Sequence, residues 1–597
     1  MEHLFGIAGI GKETEEKIIK QLQQRTNQFR FHCDESYIET DIRLLAFSNA
    51  AKSVCSRIHD DGRRVLGWVG HVVVDGLNLW PEAQELLNTI DGDVCLSMAQ
   101  TDGLYALAIH DKVGQKLILA TDRYGIWPLY YMKLGKGVVF STSLDLLAYA
   151  APDLLHLNPH AAAEYLHLHY CLGDKTLVKE ISRLTQGSLA NFNLREGGHS
   201  KKEYFNYKEL PCSEDEEETI SVSDLSELLS MSVLRRLKHD KEIVCLLSSG
   251  YDSRTLSGLL VRHKVPFYTL TTYGDTGALD DPEGARLVAD ALDLENTYFP
   301  LPRDYLQLYW KAKCLATDFA TTMHTWLMPL TQRHRHPGAV NYDGIAGGIA
   351  LKGALVRQSD LDLLEQGDTQ ALVDAMMTLH SSGRVLDRAI SEPFRKQWKE
   401  SVRSALEEEV LLSDNHPNSL SFFVFRNRTR RAISASPCCL LSNRLENVAP
   451  FFDFQFFNAA MSIPPASKIG GRVYKEMIKN VDFRLSDIPS SNDKNWPDNM
   501  PRRRKPLMCV ASPEAIISYL DEIEGATENL PDLIDRKWLS DARKAADSDH
   551  MSRLDFLREA QALGELAFWV STYLQAPEGR PQASGVLPAE LPNIGRT

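Results

Sequence analysis

The chain has 597 residues, of which 43% are hydrophobic and 24% are charged, a composition typical of a globular protein with two to four domains. Its formal net charge of −14 excludes general binding to nucleic acid, because no overall positive charge is available to displace counterions from phosphates. Its apolar runs are far shorter than the ~20 residues of a membrane span, and its first residues lack the basic start of a secretion signal. We therefore expect a cytoplasmic protein that neither enters nor binds a membrane.

The first 205 residues or so predict a β-rich region with interspersed helices. Runs rich in β-branched and aromatic residues, separated by Gly, Asp and Pro, predict strands at Val65–Val74, Leu104–His110, Lys116–Ala120 and Leu129–Met132. A helix is predicted at Pro159–Leu168. His167 and His169 at its end suggest a metal pair, but residues two apart share a face only on a strand, so we interpret them as ordinary surface or core residues.

An acidic run, Ser213–Glu218, indicates a solvated linker before a helix at about Asp224–Lys238, capped near Ser221 or Ser223. Strands and helices then alternate, which predicts a doubly wound parallel sheet with its ligand at the carboxyl ends of the strands. The predicted strands are Ile243–Leu247, Pro266–Thr271 and Asn296–Leu301, with a helix at Glu283–Leu292. Residues 355–435 and 511–575 have a helical pattern. The predicted domains are 1–207, an acidic linker at 208–220, 221–576, and a flexible tail at 577–597.

The loop Ser248–Ser253 lies between a buried strand and a helix, where the chemistry is expected. Gly250 lets the backbone approach a ligand, and the free N–H groups of a helix N-terminus favour an anion such as pyrophosphate. Asp252 is suited to hold an accompanying Mg²⁺. The alternative is a turn that is rich in serine only because serine caps helices.

Ten cysteines lack disulfide or metal spacing, apart from the adjacent Cys438 and Cys439. Several of them, including Cys95, Cys245 and Cys509, stand in apolar runs. This pattern predicts reduced cysteines in the core.

The loop Ser248-Ser-Gly-Tyr-Asp-Ser253 resembles the pyrophosphate loop Ser-Gly-Gly-x-Asp-Ser of the N-type ATP pyrophosphatases, with Ser249 in place of the first glycine. Further motifs follow in the order of the class B asparagine synthetase superfamily. They are Leu270 at a strand end that reads adenine, the acids Asp280, Asp281 and Glu283, the phrase Glu446–Asp453, the pair Tyr474-Lys475, and Lys494. The phrases Gly103–Asp111, Asp122–Tyr131 and Arg183–Gly187 resemble the glutaminase half of the same family.

The resemblance implies an α/β fold in two parts: an N-terminal-nucleophile (Ntn) hydrolase-like sandwich of two sheets between helices, then a parallel sheet of the ATP-pyrophosphatase type with helical additions. The family's glutaminase nucleophile is a cysteine after the initiator Met, and here Glu2 stands in that place. A carboxylate cannot replace a terminal thiol as the nucleophile, so we predict a degenerate glutaminase domain without that activity.

The resemblance also implies the cofactors and site residues. ATP would contact Leu246, Leu247, Ser248, Ser249, Gly250, Tyr251, Asp252, Ser253, Leu270, Gly344 and Gly347. Asp252 would bind Mg²⁺, and Lys494, Lys475 and Asp343 are the catalytic candidates. A carboxylate would attack the α-phosphorus of ATP, and an amine would then attack the acyl-adenylate to form an amide.

Two departures bear on activity. In the family's second glycine loop, which corresponds to Asp343–Gly348, a final acid is replaced by Gly348 and a Glu or Tyr by Ile345. The arginine of a later motif is replaced by Val448. We hypothesise that Asp343 or Tyr342 substitutes for the lost polar groups.

Our preferred hypothesis is an amide-forming ligase that acts on a small molecule or a peptide, resembling the β-lactam synthetases and lasso-peptide cyclases. A precursor peptide or a leader-binding protein is then a possible partner, and the basic run Arg502–Lys505 is either a solvated face or a site for acidic leader side chains. The alternatives are asparagine synthesis from ammonia and a noncatalytic protein that binds a nucleotide or peptide.

Overall fold

The structure is a computed structural model. It describes residues 2–29, 32–48, 57–74, 83–90, 93–212, 220–273, 280–302, 304–333, 338–380, 385–412, 416–490, 513–528, 533–546 and 550–574. Lys494, Arg502–Lys505, Cys509 and the tail 577–597 lie outside these residues.

Two six-stranded antiparallel sheets form the N-terminal part. The strands are β1 Glu2–Ala8, β2 His32–Glu39, β3 Ile42–Ser48, β4 Arg57–Asp60, β5 Arg64–Val74, β6 Thr101–Asp111, β7 Lys116–Thr121, β8 Tyr130–Leu134, β9 Gly137–Ser141, β10 Ser182–Arg183, β11 Ser188–Asn193 and β12 His199–Glu203. One sheet has the order β10-β8-β9-β1-β3-β2, and the other has the order β12-β11-β7-β6-β5-β4. The four predicted strands are confirmed as β5 to β8, whereas β1 to β4 and β9 to β12 were not predicted.

The two sheets pack face to face. A Cβ atom built on Gly67 of β5 would lie 3.0 Å from Cδ1 of Leu4 in β1, so the glycine leaves room for a side chain of the other sheet. The other face of the second sheet is covered by the short helices Ala83–Thr89 and Val94–Ala99, around buried side chains such as Leu87 and Met98. The predicted sandwich between helices is confirmed.

A five-stranded parallel sheet forms the core of the C-terminal part. Its strands are β13 Ile243–Leu246, β14 Tyr268–Thr271, β15 Asn296–Tyr298, β16 Ala339–Tyr342 and β17 Leu445–Val448, in the order β15-β14-β13-β16-β17. From β13 the strands are added first on one side, as β14 and β15, and then on the other side, as β16 and β17. Ligands of such sheets bind at the carboxyl ends of the strands beside the point between β13 and β16 where the order changes. The predicted doubly wound sheet is confirmed.

Helices surround this sheet and fill the rest of the chain. The α-helices not yet named are Lys12–Phe29, Leu144–Ala150, Pro159–Leu168, Val222–Arg235, Tyr251–Arg262, Asp280–Leu292, Tyr305–Ala316, Met328–Arg333, Gly347–Lys352, Gln358–Glu365, Thr369–Leu379, Glu392–Leu411, Ser419–Val424, Phe454–Ser462, Pro465–Lys468, Arg472–Val481, Pro513–Thr527, Arg536–Ala545 and His550–Tyr573. Val222–Arg235 begins at Ser221, as predicted, because Ser221 Oγ accepts the N–H of Asp224 at 3.0 Å.

Buried ion pairs join the two parts. The Arg236 guanidinium donates to Asp102 of β6 at 2.8 Å and to Asp453 at 3.0 Å, and all three side chains are nearly inaccessible. Lys313 and Glu565, both fully buried, pair at 2.6 Å, and Tyr165 of the N-terminal part donates to Glu565 at 2.8 Å. Charges without water are stable only when paired, so these contacts fix the two parts against each other.

The predicted domain boundaries at 207, 220 and 576 stay predictions. Cys95 and Cys245 are buried, as expected. Within the described part of the chain, no helix combines the length and the apolar character that crossing a bilayer requires.

Candidate functional site

The loop after β13 presents the N-terminus of the helix Tyr251–Arg262. Serine side chains fold the loop on itself: the N–H of Gly250 donates to Ser248 Oγ at 3.0 Å, and the N–H of Ser248 donates to Ser253 Oγ at 3.1 Å. Gly250 precedes the first turn, and no side chain caps the helix. An uncapped N-terminus of a helix attracts an anion through its dipole, which favours the ligand-binding interpretation over a serine cap.

The side chain of Arg254 holds this loop in place. Its buried guanidinium donates to the carbonyls of Gly250 at 3.3 Å, Leu485 at 3.1 Å and Ile488 at 2.6 Å, and also to that of Ser249. These bonds join the loop to the segment that follows the helix Arg472–Val481. Sequence reasoning missed this role of Arg254, because no motif shows which way its side chain points.

A glycine loop, Gly344–Gly348, lies against Asp252. A Cβ atom on Gly344 would lie 2.7 Å from Asp252 Cβ, and one on Gly347 would lie 2.6 Å from Asp252 Oδ1. Both distances are shorter than real carbon contacts. Gly344 and Gly347 are therefore required for the two loops to meet.

Two carboxylates face the space between these loops. Burial raises the pKa of Asp252 to about 6, although a hydrogen bond of 2.7 Å from the Tyr474 hydroxyl opposes the shift. Burial likewise raises the pKa of Asp343 to about 6, opposed by the N–H of Ile345 at 2.8 Å. Because both values exceed the ordinary 3.8, the contribution of these groups favours folding below about pH 4 and is lost as the pH rises through 6.

The loops open into a cavity of about 320 Å³ at the carboxyl ends of β13, β14 and β16. We call it the nucleotide cavity. Its lining includes Leu246, Leu247, Ser248, Asp252, Ser253, Leu270, Asp343, Gly344 and Ile345 from the sequence-predicted site, together with Met323, His324, Trp326 and Arg428. Serine hydroxyls, helix N–H groups and two carboxylates at one end, with leucines at the other, suit a phosphorylated ligand that has an apolar ring.

Two models of known protein families match this chain. A family model described as "Glutamine amidotransferase domain" matches residues 87–205, and a model described as "Asparagine synthase" matches residues 224–482. The chain therefore contains segments similar to both domains of the asparagine synthetase superfamily. That similarity, and the division of the fold into an amidotransferase-like part and a synthase part, confirm the sequence predictions.

Individual relatives of the superfamily are distant. A putative glutamine-hydrolyzing asparagine synthetase of Mycobacterium tuberculosis is 25% identical over 196 residues, which is 32% of this chain and 30% of that protein. A probable one of Acanthamoeba polyphaga mimivirus is 25% identical over 67% of this chain and 66% of its own length. The human enzyme is 26% identical over 36% of this chain and 39% of its own length. The matches therefore span about a third of the first relatives.

Among solved structures, a glutamine phosphoribosylpyrophosphate amidotransferase from B. subtilis covers 50% of this chain at 9% identity, with a TM-score of 0.23. A second structure, an allosteric regulatory enzyme of purine biosynthesis, covers 46% at 11% identity with the same score.

Where the superfamily has polar residues in its second glycine loop, this chain has apolar ones. Ile345 is buried and lines the nucleotide cavity, and Gly348 leaves Asp252 without an acidic neighbour on that helix turn. Of the two proposed substitutes, Asp343 lines the cavity. Tyr342 does not, because its buried hydroxyl donates to the carbonyl of Val233 at 3.2 Å. Tyr342 is therefore excluded as a replacement.

Ala346, in the same loop, has a strained backbone. Its φ of +85° lies in the left-handed region, which costs an L-residue with a Cβ about 1–2 kcal/mol. We predict that Ala346→Gly changes the free energy of unfolding by less than about 0.5 kcal/mol, because relief of strain offsets the lost methyl group. Ala350→Gly, in the helix Gly347–Lys352, is the matched control and should cost about 1–2 kcal/mol. Urea unfolding measures both, and equal losses would contradict the strain.

Some predicted nucleotide contacts are placed outside the cavity lining. Ser249 is fully buried beneath the loop, where a Cβ atom on Gly284 would meet its Cβ at 2.3 Å. Tyr251 is buried against Tyr474, with ring centres 5.5 Å apart. Gly250 stands directly before the helix and does not line the cavity. Leu270 lines the cavity, but its carbonyl already accepts the N–H of Leu247 at 2.8 Å.

The two predicted catalytic lysines are Lys475 and Lys494. Lys475 is exposed on the helix Arg472–Val481 and is not among the residues that line the cavity, whereas its neighbour Tyr474 is buried and bonded to Asp252. The structure therefore does not support Lys475 as a catalytic residue. Lys494 lies outside the described residues and stays a prediction.

The structure adds residues that sequence reasoning missed. Lys352 lies with its Nζ 4.5 Å from the ring centre of Tyr251, and its charge acts to lower the pKa of Asp252. Lys352 lies one helical turn after Gly348. The replacement of the family's acid by Gly348 was the sequence signal that could have pointed to Lys352. Arg428 and Trp326 come from segments without any motif and could not have been found from spacing.

The later family motif has structural roles. Glu446 of β17 pairs with Lys238 at 3.2 Å, and the Val448 carbonyl accepts the N–H of Asp343 at 2.8 Å. Asp453 caps the helix Phe454–Ser462 and joins the ion pair with Arg236. This motif supports the site without lining it.

Proposed function

We propose that this protein is an ATP-dependent carbon–nitrogen ligase that activates a carboxylate as an acyl-adenylate and transfers the acyl group to an amine. The observation that carries the proposal is the uncapped helix N-terminus after β13, which opens with Ser248, Asp252 and Ser253 into the nucleotide cavity. Similarity to the asparagine synthetase superfamily supports the same chemistry.

In the proposed reaction a carboxylate oxygen attacks the α-phosphorus of ATP. The bond from that phosphorus to the bridging oxygen breaks, and pyrophosphate leaves towards the helix N–H groups and the hydroxyls of Ser248 and Ser253. These donors stabilise the charge that accumulates on the leaving group, because they are fixed before the reaction begins. An amine nitrogen then attacks the acyl carbon, loses a proton, and displaces AMP.

The residues present fit Mg²⁺, which the superfamily implies. Mg²⁺ prefers oxygen ligands and is commonly bound by one or two carboxylates together with substrate phosphates and water. Asp252 and Asp343 are two such carboxylates on the wall of one cavity. When bound there, the ion would supply charge neutralisation at the phosphates.

Leu246, Leu247 and Leu270 would hold the adenine ring at the apolar end of the nucleotide cavity. They line it together with Leu327 and Leu330. A ring held by leucines and backbone is recognised mainly by shape. ATP binding would then depend on the phosphate end, where Ser248, Asp252 and Ser253 act.

The proposed substrate carries both reacting groups. We propose a small molecule or a peptide whose carboxylate and amine belong to one molecule, as in β-lactam or lasso-peptide formation, and a precursor peptide or leader-binding protein as a partner. The N-terminal part would contribute structure and no glutamine hydrolysis. Asparagine formation from ammonia is the competing reaction and would appear as aspartate-dependent AMP release.

The test is to incubate the purified chain with ATP, Mg²⁺ and a panel of carboxylates and to measure AMP and pyrophosphate. We expect both products in equal amounts with at least one carboxylate. ADP and phosphate as products would contradict adenylate chemistry. Failure to bind ATP at all, measured by calorimetry, would contradict the nucleotide site.

A further inference from the structure

A second cavity, of about 270 Å³, lies beside the nucleotide cavity. We call it the inter-part cavity, because Leu168–Tyr170 of the N-terminal part and Arg558 of the helix His550–Tyr573 both line it. It shares Met323, His324, Trp326 and Arg428 with the nucleotide cavity. A molecule that reaches from one cavity into the other would pass these four side chains.

Hydrogen-bond donors without partners line the inter-part cavity. Among the residues that the structure describes, neither Arg428 nor Arg558 has a hydrogen bond or an ion pair. The Tyr170 hydroxyl, the Thr325 hydroxyl and the Trp326 Nε1 are buried and also lack a partner. Arginine and tryptophan can only donate, and buried polar atoms are normally bonded, so this set lacks an acceptor.

The charge of the cavity comes from the two arginines. Among the described residues of the chain, those that line it include no Asp or Glu. Two of the histidines that line it add no charge near neutral pH, because burial lowers the pKa of His169 to about 3 and that of His380 to about 4. An anionic group is therefore favoured there, and an ammonium ion is disfavoured.

The backbone around the cavity is strained at several points. His169 has a φ of +73°, His324 of +76° and Leu355 of +66°, all in the left-handed region and all in the lining. Arg428 belongs to Phe425–Ile433, a segment of π-helix. Left-handed non-glycine residues and π-helical turns are concentrated at binding sites, where the fold holds a side chain against a local cost.

We propose that the inter-part cavity binds an oxyanion group of the substrate, a carboxylate or a phosphate, through Arg428 and Arg558. This inference rests on the proposed function and narrows its substrate class to molecules that carry an anionic group besides the carboxylate that reacts. Planar guanidinium groups suit this task, because each can donate two parallel hydrogen bonds to one oxyanion.

Arg428 lies where the two cavities meet. It lines both cavities, so an oxyanion held there keeps the rest of the substrate beside the phosphate end of the nucleotide cavity. Arg558 lines only the inter-part cavity. Arg428 is therefore a positioning residue for the reacting group, and Arg558 is a residue that selects the substrate.

The test is calorimetric titration of the full chain at low salt with glutarate and with inorganic phosphate, and with 1,4-diaminobutane as a cationic probe. We expect one of the two anions to bind and the diamine not to bind. Arg558→Gln should weaken the anion affinity by about 10- to 100-fold, because charge-assisted hydrogen bonds are lost. Arg558→Lys should lose less, since it keeps the charge but not the paired donors.

Arg195→Gln is the control, because Arg195 is exposed and lines neither cavity. The preferred anion identifies the group as a carboxylate or a phosphate. Equal affinity in wild type, Arg558→Gln and Arg558→Lys, or no anion binding in the wild type, would overturn the proposal. Loss of ATP binding with anion binding intact would instead overturn the proposed function, so the two failures are distinct.

Discussion

Replacement of Asp252 by Asn is expected to lower pyrophosphate release from ATP by about 10²–10³-fold. The amide has the same shape and can still accept the hydrogen bond from Tyr474, so the loop should keep its structure. What it loses is the negative charge that faces the nucleotide phosphates and their metal ion. Initial rates of AMP and pyrophosphate formation at saturating carboxylate measure the effect.

Asp290→Asn is the matched control, because Asp290 is an exposed member of a surface ion pair on the helix Asp280–Leu292. The wild-type rate should also fall as the pH drops below 6, since Asp252 and Asp343 then take up protons. A wild-type rate in Asp252→Asn would remove this residue from the site.

Lys313→Met is expected to cost about 3–5 kcal/mol of the free energy of unfolding. The substitution leaves Glu565 fully buried without its cation, and the Tyr165 hydroxyl and the Gln561 amide cannot neutralise a charge. Chemical denaturation followed by tryptophan fluorescence measures the loss. Lys311→Met, two residues away in a half-exposed ion pair, should change stability by less than about 1 kcal/mol.

The double variant Lys313→Met, Glu565→Leu separates charge from packing. If the unpaired carboxylate causes the loss, removing it should recover about half of the stability or more. An unchanged loss in the double variant would assign the effect to packing of the helix His550–Tyr573.

The sequence predicted those parts of the molecule that depend on local patterns. The alternation of strands and helices from Ile243 to Tyr298 defined the parallel sheet, and the loop Ser248–Ser253 was placed at a helix N-terminus before any geometry was available. The helix Pro159–Leu168 was predicted with its observed bounds, because Asn158 caps it and proline begins it. Strand β1 was missed, since the helix Lys12–Phe29 separates it from β3, the strand with which it pairs.

The site was predictable only where a motif carried it. Asp252, Asp343 and Gly344 were predicted from motifs and line one cavity, whereas Gly347 does not line it; their roles stay predictions. Arg428 was not predicted, because nothing in the run Phe425–Ile433 shows that its backbone adopts π-helical turns. Lys475 was assigned by its place in a motif, but a helix turns successive side chains about 100° apart, and only Tyr474 reaches Asp252.

The buried contact of Arg236 with Asp102 and Asp453 also limits how the molecule can admit a substrate. Separating the two parts would break the buried ion pair between Arg236 and Asp102, and with it the packing that surrounds the pair. A rocking motion between the parts is therefore a poor entrance route. Access to both cavities must come from local movement of segments at their rims, so deletions or crosslinks there should change the rate of substrate capture more than they change the equilibrium stability of the chain.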